Sequence, residues 1–279
     1  MIMISSRKDF WSPVEISDTD QIRDVDLLNP DPSVDTPMSE GQYLAAIENR
    51  RVLILVHGYN NDEDDVNRAY SLIEGRIAAE VAGQYDAVIG YTWPGGNLHI
   101  SYPLAKARGK AISPRLHIWL RKTIGRARSV DVMCHSLGNY VTLRALNELA
   151  RGQPARVRNC YWLAAAVDNE SIEKGEKYFA GTQVCDGGYV FHSIKDAVLM
   201  LAYPAGETIS FGLPDVALGL TGPEDVDDIM QNSPNVKVVN CKHVVDGHGK
   251  YKESAPMYRY ILDELSGTPA PQFTTLQPV

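Results

Sequence analysis

The 279-residue sequence has no apolar run that approaches the roughly 20 residues a helix needs to cross a bilayer. Its opening segment, MIMISSRKDFW, has neither the apolar core nor the cleavage-site pattern of a secretory signal. The four cysteines, at positions 134, 160, 185 and 241, lack the close CxxC-type spacing of a metal site. We therefore expect a cytoplasmic protein with reduced cysteines and no stable membrane insertion.

Clustered basic residues are also scarce. The chain has 27 Lys and Arg against 35 Asp and Glu, which gives a formal net charge of −8. Nucleic acids and anionic membranes are bound mainly through clustered Lys and Arg. The one basic stretch, residues 121–128, is interrupted by apolar residues and is typical of a solvated helix end. The composition therefore argues against nucleic acid as a partner, and it does not define an oligomeric state.

Internal repeats and domain linkers are absent as well. The length and the 44% apolar content suit one large α/β domain, so we assign residues 1–279 to a single domain. Residues 1–37 are polar and rich in Asp and Pro, which predicts an extended arm with at most a short strand or two. Residues 203–234 are rich in Gly, Pro and acidic residues, and we interpret them as either a partial lid or a surface excursion.

From residue 51 onwards, strand and helix patterns alternate. The helical patterns cover residues 64–82, 103–124, 137–150, 169–180, 197–202 and 252–265, and Pro114 should break, kink or start part of the second of them. The strand patterns between them are RVLILVHG, DAVIGYTW, SVDVMC, VRNCYWLAAAV, GYVFHSI and NVKVVNC. This order predicts an α/β fold with a mostly parallel sheet and helices on both faces. Functional residues in such a sheet lie at the carboxyl ends of the strands.

The strongest local motif is Cys134-His135-Ser136-Leu137-Gly138, which follows a strand pattern and opens a helix. A serine in a sharp strand-to-helix turn, the nucleophile elbow, has its hydroxyl exposed above the sheet. Cys134 occupies the position where the G-x-S-x-G pattern has glycine. The backbone N–H of Leu137 lies at a helix N-terminus, where it can stabilise an oxyanion. We therefore predict Ser136 as the nucleophile and Leu137 as one oxyanion donor.

A serine hydroxyl needs an adjacent base, and in this fold the chain order is serine, acid, histidine. His248 lies in a loop between the last strand and the last helix, where Gly247 and Gly249 should allow the loop to bend. We predict His248 as the base and keep His243 as the alternative. Two other histidines, one before the serine and one within a strand, are interpreted as structural: His57 and His192.

The predicted acid is Asp196, which directly follows GYVFHSI and so lies beside the strand that leads to the histidine. Asp168 follows the preceding strand and is the alternative acid, although it could instead cap the next helix. The loop His57-Gly58-Tyr59-Asn60-Asn61 follows the first strong strand, and its glycine lets the backbone approach a substrate. The N–H of Tyr59 is therefore the second predicted oxyanion donor.

These segments together resemble a bacterial α/β-hydrolase family of unknown function with an HGYNN-type oxyanion loop, whose members are described as esterase- or lipase-like. The resemblance covers about residues 50–265 and rests on VLILVHGYNN, YTWPGG, VMCHSLGNYVTLRAL, HSIKDAVL and a late GH. It implies an α/β-hydrolase fold, and it implies no particular substrate. By the same resemblance the triad comprises Ser136, Asp196 and His248, and the oxyanion donors are Tyr59 and Leu137.

The expected reaction is hydrolysis of a carboxylic ester through an acyl intermediate on Ser136. This chemistry needs a small-molecule acyl substrate and requires neither a metal ion nor an organic cofactor. Hydrolysis of a thioester, an amide or a peptide, or acyl transfer to another acceptor, uses the same triad and stays open. A binding module without catalysis on the same fold is the remaining alternative.

Overall fold

A single ten-stranded sheet forms the centre of the computed structural model, which describes residues 1–28, 35–97, 101–152, 154–206 and 216–278. Its order is β10-β9-β8-β7-β6-β4-β5-β1-β2-β3 when the strands are numbered along the chain. The strands are β1 (Ile2–Arg7), β2 (Ile16–Asp24), β3 (Thr36–Met38), β4 (Arg51–Val56), β5 (Ala87–Thr92), β6 (Ser129–His135), β7 (Val157–Leu163), β8 (Cys185–His192), β9 (Val236–Asn240) and β10 (Phe273–Thr275). Every pairing from β10 to β1 is parallel, which confirms the predicted mostly parallel sheet.

Helices cover both faces of the sheet and enclose two apolar cores. The described helices are α1 (Glu40–Ile47), α2 (Glu63–Glu80), α3 (Tyr102–Ile124), α4 (Leu137–Arg151), α5 (Phe179–Thr182), α6 (Ala197–Gly206), α7 (Leu218–Thr221), α8 (Val226–Asn232) and α9 (Ala255–Leu265), with a 3-10 turn at Lys250–Glu253. Side chains of α1, α3 and α4 pack in one core, and those of α2 and α9 pack in the other. None of the described helices is long and apolar enough to cross a membrane.

The continuous apolar run of β4 follows from this arrangement. Successive side chains of a strand point to opposite faces, and both faces of this sheet are covered. Val52, Ile54 and Val56 therefore enter the core that contains α4. Leu53 and Leu55 enter the core that contains α2.

The N-terminal residues extend the sheet. β1 pairs in parallel with β5 and antiparallel with β2, and β3 forms the outer edge beyond β2. All of β1 except Ile2 is buried. The segment predicted as an extended arm therefore contributes three strands, and the last residue of β1, Arg7, lies in the interior.

Helix α3 continues through Pro114 as one element, so the proline neither breaks the helix nor starts a separate one. A proline has no N–H with which to bond the carbonyl four residues earlier, which here belongs to Lys110. The neighbouring hydroxyl of Ser113 donates to that carbonyl instead, at 3.0 Å. The Nε–H of Arg144 on α4 donates in turn to the Ser113 oxygen at 3.3 Å.

Two predicted elements are wrong in extent. The strand VRNCYWLAAAV ends at Leu163 because Ala164 adopts a positive φ of 46°, although the following residues remain buried. The helix predicted over residues 169–180 is a series of turns, and only its end is helical, as α5. Gly175, with φ of 92°, interrupts any continuous helix there.

Residues 203–234, interpreted as a lid or a surface excursion, are described in part. Residues 207–215 lie outside the described residues, and the remainder includes α7 and α8. Ala217 forms an isolated β-bridge with Asp168, and Gly219 packs directly on the chain after β7. A Cβ on Gly219 would lie 2.2 Å from the backbone nitrogen of Ala165. The described part of this segment is thus tightly bound to the chain that follows β7.

Candidate active site

Ser136 lies at the carboxyl end of β6, in the turn that begins α4. Its φ of 56° and ψ of −126° are strained for a residue with a side chain. Two hydrogen bonds hold the Ser136 backbone against the end of β7 and the chain that follows it. The Ser136 N–H donates to Leu163 O at 3.0 Å, and the Ser136 carbonyl accepts from Ala166 N at 3.3 Å. The Ser136 side chain makes no capping hydrogen bond to the helix that follows. The local geometry therefore matches the predicted elbow.

Two glycines permit the close packing around this turn. A Cβ on Gly138 would lie 2.5 Å from His57 O, so the start of α4 can touch the end of β4 only through glycine. A Cβ on Gly58 would lie 2.8 Å from the Ser136 Cβ. The loop after β4 is therefore in direct contact with the candidate nucleophile, and Tyr59 follows at that contact.

Asn139, a residue that sequence reasoning missed, holds the elbow together. This side chain is fully buried on α4, and its Nδ2 donates to the carbonyls of Ser136 at 2.9 Å and Leu163 at 3.0 Å. The thiol of Cys134 donates to its Oδ1 at 3.2 Å. Cys134 therefore has a structural role at the position where the common motif has glycine. The signal in the sequence that could have identified Asn139 is a side-chain amide on the apolar face of an amphipathic helix.

The side chains of Asp196 and His248, the predicted acid and base, are in contact. The carboxylate is fully buried at the start of α6, and its Oδ2 lies 2.8 Å from His248 Nδ1. Its Oδ1 accepts from Leu199 N at 3.0 Å, so the same group also caps α6. Because the carboxylate accepts, the proton of this hydrogen bond is on Nδ1, and the opposite nitrogen Nε2 is available as a base.

The alternative acid and base lie elsewhere. Asp168 accepts a hydrogen bond from the hydroxyl of Tyr203. His243 is exposed on the turn after β9. His192 is buried at the end of β8, where burial lowers its pKa to about 4. None of these three side chains lines the pocket that contains Ser136.

His135 supports the loop that carries His248, and sequence reasoning missed this contact. Its Nε2–H donates to the backbone carbonyl of His248 at 2.8 Å, and the two ring centres are 4.7 Å apart. Burial, with smaller contributions from Lys252 and His248, holds the His135 pKa well below 6.5. The ring is therefore neutral at physiological pH.

A cavity of about 310 Å³ opens beside Ser136 and His248. Its walls are mostly aromatic and aliphatic, and Tyr59 and Tyr102 meet edge to face across 5.7 Å. In the described part of the chain, Ser136 and the His248 imidazole are not hydrogen-bonded to each other. Such contacts commonly tighten only when substrate binds. The other lining residues are Asn60, Ala166, Val198, Leu199 and Tyr203. Within the described ranges, no cluster of three or more His, Cys, Asp or Glu side chains is arranged to hold a metal ion.

Comparison with known proteins identifies the family. The model of the family "Alpha/beta hydrolase of unknown function (DUF900)" matches residues 38–259, and the chain belongs to this family. Among solved structures, the chain is similar to carboxyl esterase 2 from the mycorrhizal fungus Tuber melanosporum. That similarity has 12% identity and a TM-score of 0.34, and it covers 92% of this chain and 71% of the esterase. No curated protein matches the chain.

Proposed function

We propose that this protein is a serine hydrolase that cleaves carboxylic esters through Ser136, His248 and Asp196. The observation that carries the proposal is the 2.8 Å contact between His248 Nδ1 and Asp196 Oδ2, beside a pocket that Ser136 enters from a strained turn. Membership of an α/β-hydrolase family supports hydrolase activity in general.

The proposed reaction has two steps. Ser136 Oγ attacks the ester carbonyl carbon while His248 Nε2 takes the hydroxyl proton, and Asp196 stabilises the imidazolium. The backbone N–H groups of Leu137 and Tyr59 donate to the tetrahedral oxyanion. The intermediate collapses, and the leaving alkoxide takes the proton from His248. Water then attacks the acyl group on Ser136, with His248 again as base, and releases the acid.

The pocket supports a small substrate with an apolar acyl group. Ala166, Val198 and Leu199 provide aliphatic walls, and three tyrosines provide the aromatic ones. Apolar walls with few polar groups are typical of sites that hold small organic ligands.

The four described cysteines are free and buried, which fits a reducing compartment such as the cytoplasm.

Turnover of matched esters, thioesters and amides tests this function. We expect the esters to be cleaved, with kcat reduced by about 10⁴-fold or more in Ser136→Ala and in His248→Ala. His243→Ala, in which the exposed alternative base is removed, should retain activity. A preference for thioesters or amides would assign a different acyl substrate to the same triad. Turnover that survives in Ser136→Ala would refute the mechanism, and absence of any turnover would favour a binding module.

A further inference from the structure

Arg7 is a fully buried cation at the carboxyl end of β1. It ends β1 with no exposed surface, and no Asp or Glu in the described part of the chain forms an ion pair with it. Burial lowers its pKa to about 10, so the guanidinium is still charged at neutral pH. Its Nε is buried with no hydrogen-bond partner. Burying a charge in this way is costly, and neither the fold nor the proposed triad explains it.

The guanidinium contacts both ends of the loop that carries Tyr59. Its Nη2 lies 3.0 Å from His57 Nε2 and donates to Asn61 O at 2.9 Å. Its Nη1 donates to Trp11 O at 3.3 Å, within the N-terminal segment. One side chain from β1 thus bridges the loop from its first residue to its last.

These contacts also determine which nitrogen of His57 carries the proton. The backbone N–H of Trp93 can only donate, and it points at His57 Nε2 from 3.1 Å. The guanidinium of Arg7 is also only a donor. Nε2 is therefore an acceptor without a proton, and Nδ1–H donates to Gly58 O at 2.9 Å. Burial and the charge of Arg7 hold the His57 pKa well below 6.5, so this neutral tautomer persists at physiological pH.

The carbonyl of Gly58 and the N–H of Tyr59 belong to the same peptide group. A peptide bond is planar, and in the trans form its C=O and N–H point in opposite directions. No cis peptide bond occurs among the described residues. When His57 fixes the direction of Gly58 O, it also fixes the direction of the Tyr59 N–H.

We propose that Arg7 is a positioning residue for the oxyanion loop. Together with the Trp93 N–H it occupies Nε2 of His57, so that the opposite Nδ1–H orients the Gly58–Tyr59 peptide, and through Asn61 O it closes the far end of the loop. This assigns a role to the N-terminal strand: its last residue holds the loop so that the Tyr59 N–H stays directed at the developing oxyanion. The inference rests on the proposed function for its effect on rate, and on the hydrogen bond from His57 Nδ1 to Gly58 O independently of it.

The test compares Arg7→Met and Arg7→Lys with the wild type. Loss of a correctly placed oxyanion donor lowers kcat by about 10²–10³-fold. We expect Arg7→Met to lower kcat by about 10²-fold with little change in KM, and to weaken binding of a trifluoromethyl ketone, which forms a tetrahedral oxyanion, by a similar factor. Arg7→Lys keeps the charge and one contact, so its loss should be smaller. Proton NMR should detect a slowly exchanging His57 Nδ1–H in the wild type, because this proton is hydrogen-bonded to Gly58 O, and faster exchange in Arg7→Met, where the loop is no longer held.

Arg115→Met is the matched control. Arg115 also ties the N-terminal strands to the body of the protein, through Asp20 at 3.1 Å, but it does not contact the loop. This substitution should leave kcat and the exchange of the His57 Nδ1–H unchanged. An equal loss in Arg115→Met would show that docking of the strands, not the loop contact, matters, and would overturn the inference.

Arg7→Lys decides the matter if Arg7→Met does not fold. A folded Arg7→Lys variant with wild-type kcat, ketone affinity and His57 Nδ1–H exchange would also overturn the inference. If the wild type cleaves no ester, the proposed function fails separately. The exchange of the His57 Nδ1–H in the Arg7 variants then decides the inference by itself: faster exchange supports it, and unchanged exchange refutes it.

Discussion

At the scale of single residues, the site depends on positions where the backbone approaches Ser136 too closely for a side chain. A Cβ on Gly58 would lie 2.8 Å from the Ser136 Cβ and 2.9 Å from His135 O, and both of these groups are held by the elbow. Gly58→Ala should therefore displace the loop or the serine. We expect kcat to fall by about 10²-fold, as a misplacement of about 1 Å produces, in steady-state ester hydrolysis.

Gly249→Ala is the control for this substitution. Gly249 lies beside His248, but its φ of −84° suits any residue, and a Cβ there would meet no atom within 4 Å. Its activity should match the wild type. Equal activity in Gly58→Ala and Gly249→Ala would contradict the close contact described for the elbow.

The hydrogen bond from His135 predicts a smaller effect. His135→Phe keeps an aromatic ring against His248 but removes the donor to its backbone carbonyl. A hydrogen bond of this kind is worth about 0.5–1.5 kcal/mol, so kcat should fall by roughly 2–10-fold while KM stays similar. Stopped-flow acylation with a chromogenic ester measures the change. An unchanged acylation rate would show that the loop holds its position without this contact.

The proximity of Ser136, Asp196 and His248 could be predicted from the sequence, because the order serine, acid, histidine constrains where each can lie. The residues that support them could not be predicted, since Arg7, His135 and Asn139 act on backbone carbonyls. Such contacts leave no pattern in a single sequence. The argument that glycines let the His248 loop bend was also incomplete, because Gly249 neither has a positive φ nor allows a close approach.

At the scale of elements, the two ends of β6 have different roles: one precedes the candidate nucleophile, and the other contributes to stability. Ser136 follows its carboxyl end, and Asp131 lies near the other end, about 17 Å away at the rise of a strand. The Asp131 carboxylate is fully buried and accepts from both Nε and Nη2 of Arg158, at 2.8 Å each. It also accepts from the backbone N–H of Asn159 and the hydroxyl of Tyr85. This network fixes β7 against β6.

We predict that Asp131→Ala lowers the free energy of unfolding by about 3–5 kcal/mol, because it leaves the charge of Arg158 without its partner. Urea denaturation measures this loss. The fraction that stays folded should retain wild-type kcat, since the site lies at the far end of β6. A large loss of kcat in the folded variant would contradict this separation.

Asp186→Ala provides the matched control for Asp131→Ala. Asp186 on β8 pairs with Arg156, which directly precedes β7, but both side chains are 57% exposed. Exposed pairs contribute at most about 1 kcal/mol, so this substitution should change stability little. Equal losses for the two variants would show that burial of Asp131 is not the source of its effect.

The strands of the central sheet were predictable because a parallel sheet covered on both faces requires continuous apolar runs. The same signal failed where burial and strand geometry differ, as at Ala164, which is buried but has a positive φ. Pro114 misled in the other direction, because the hydroxyl of Ser113 replaces the missing backbone donor. Sequence periodicity indicates which residues are buried. It does not reveal a local change of backbone conformation or the replacement of a backbone donor by a side chain.

At the scale of the whole molecule, three histidines couple stability to pH. Burial lowers the pKa of His57 and His135 well below 6.5, and that of His192 to about 4. In the unfolded chain each titrates near 6.5, so below that pH the unfolded state binds protons that the folded state does not. Their contribution to stability is complete above pH 6.5 and is lost as the pH falls towards the folded pKa values.

We therefore expect the free energy of unfolding to decrease from pH 7 to pH 5, by up to about 1.4 kcal/mol per pH unit for each of these histidines. Urea denaturation at several pH values measures the slope. His192→Gln, which lies outside the pocket, should reduce the slope by about one proton. A slope that is flat between pH 7 and pH 5 would contradict the buried, neutral state of these rings.

The topology of the N-terminal residues could not be predicted from local pattern. The sequence of β2, ISDTDQIRD, has little apolar alternation, and β1 lies inside the sheet only because it pairs with β5, more than 80 residues later. Such pairing depends on the complete sheet. The same long-range contact brings Arg7 beneath the loop that contains Tyr59.

Labelling with a fluorophosphonate, followed by intact-mass spectrometry, shows whether Ser136 is a nucleophile activated by His248 and Asp196. We expect one adduct on the wild-type protein, located on the Ser136 peptide. We expect no adduct on Ser136→Ala and strongly slowed labelling of His248→Ala. A wild type that does not react, or an adduct on another residue that persists in Ser136→Ala, would show that Ser136 is not the activated nucleophile.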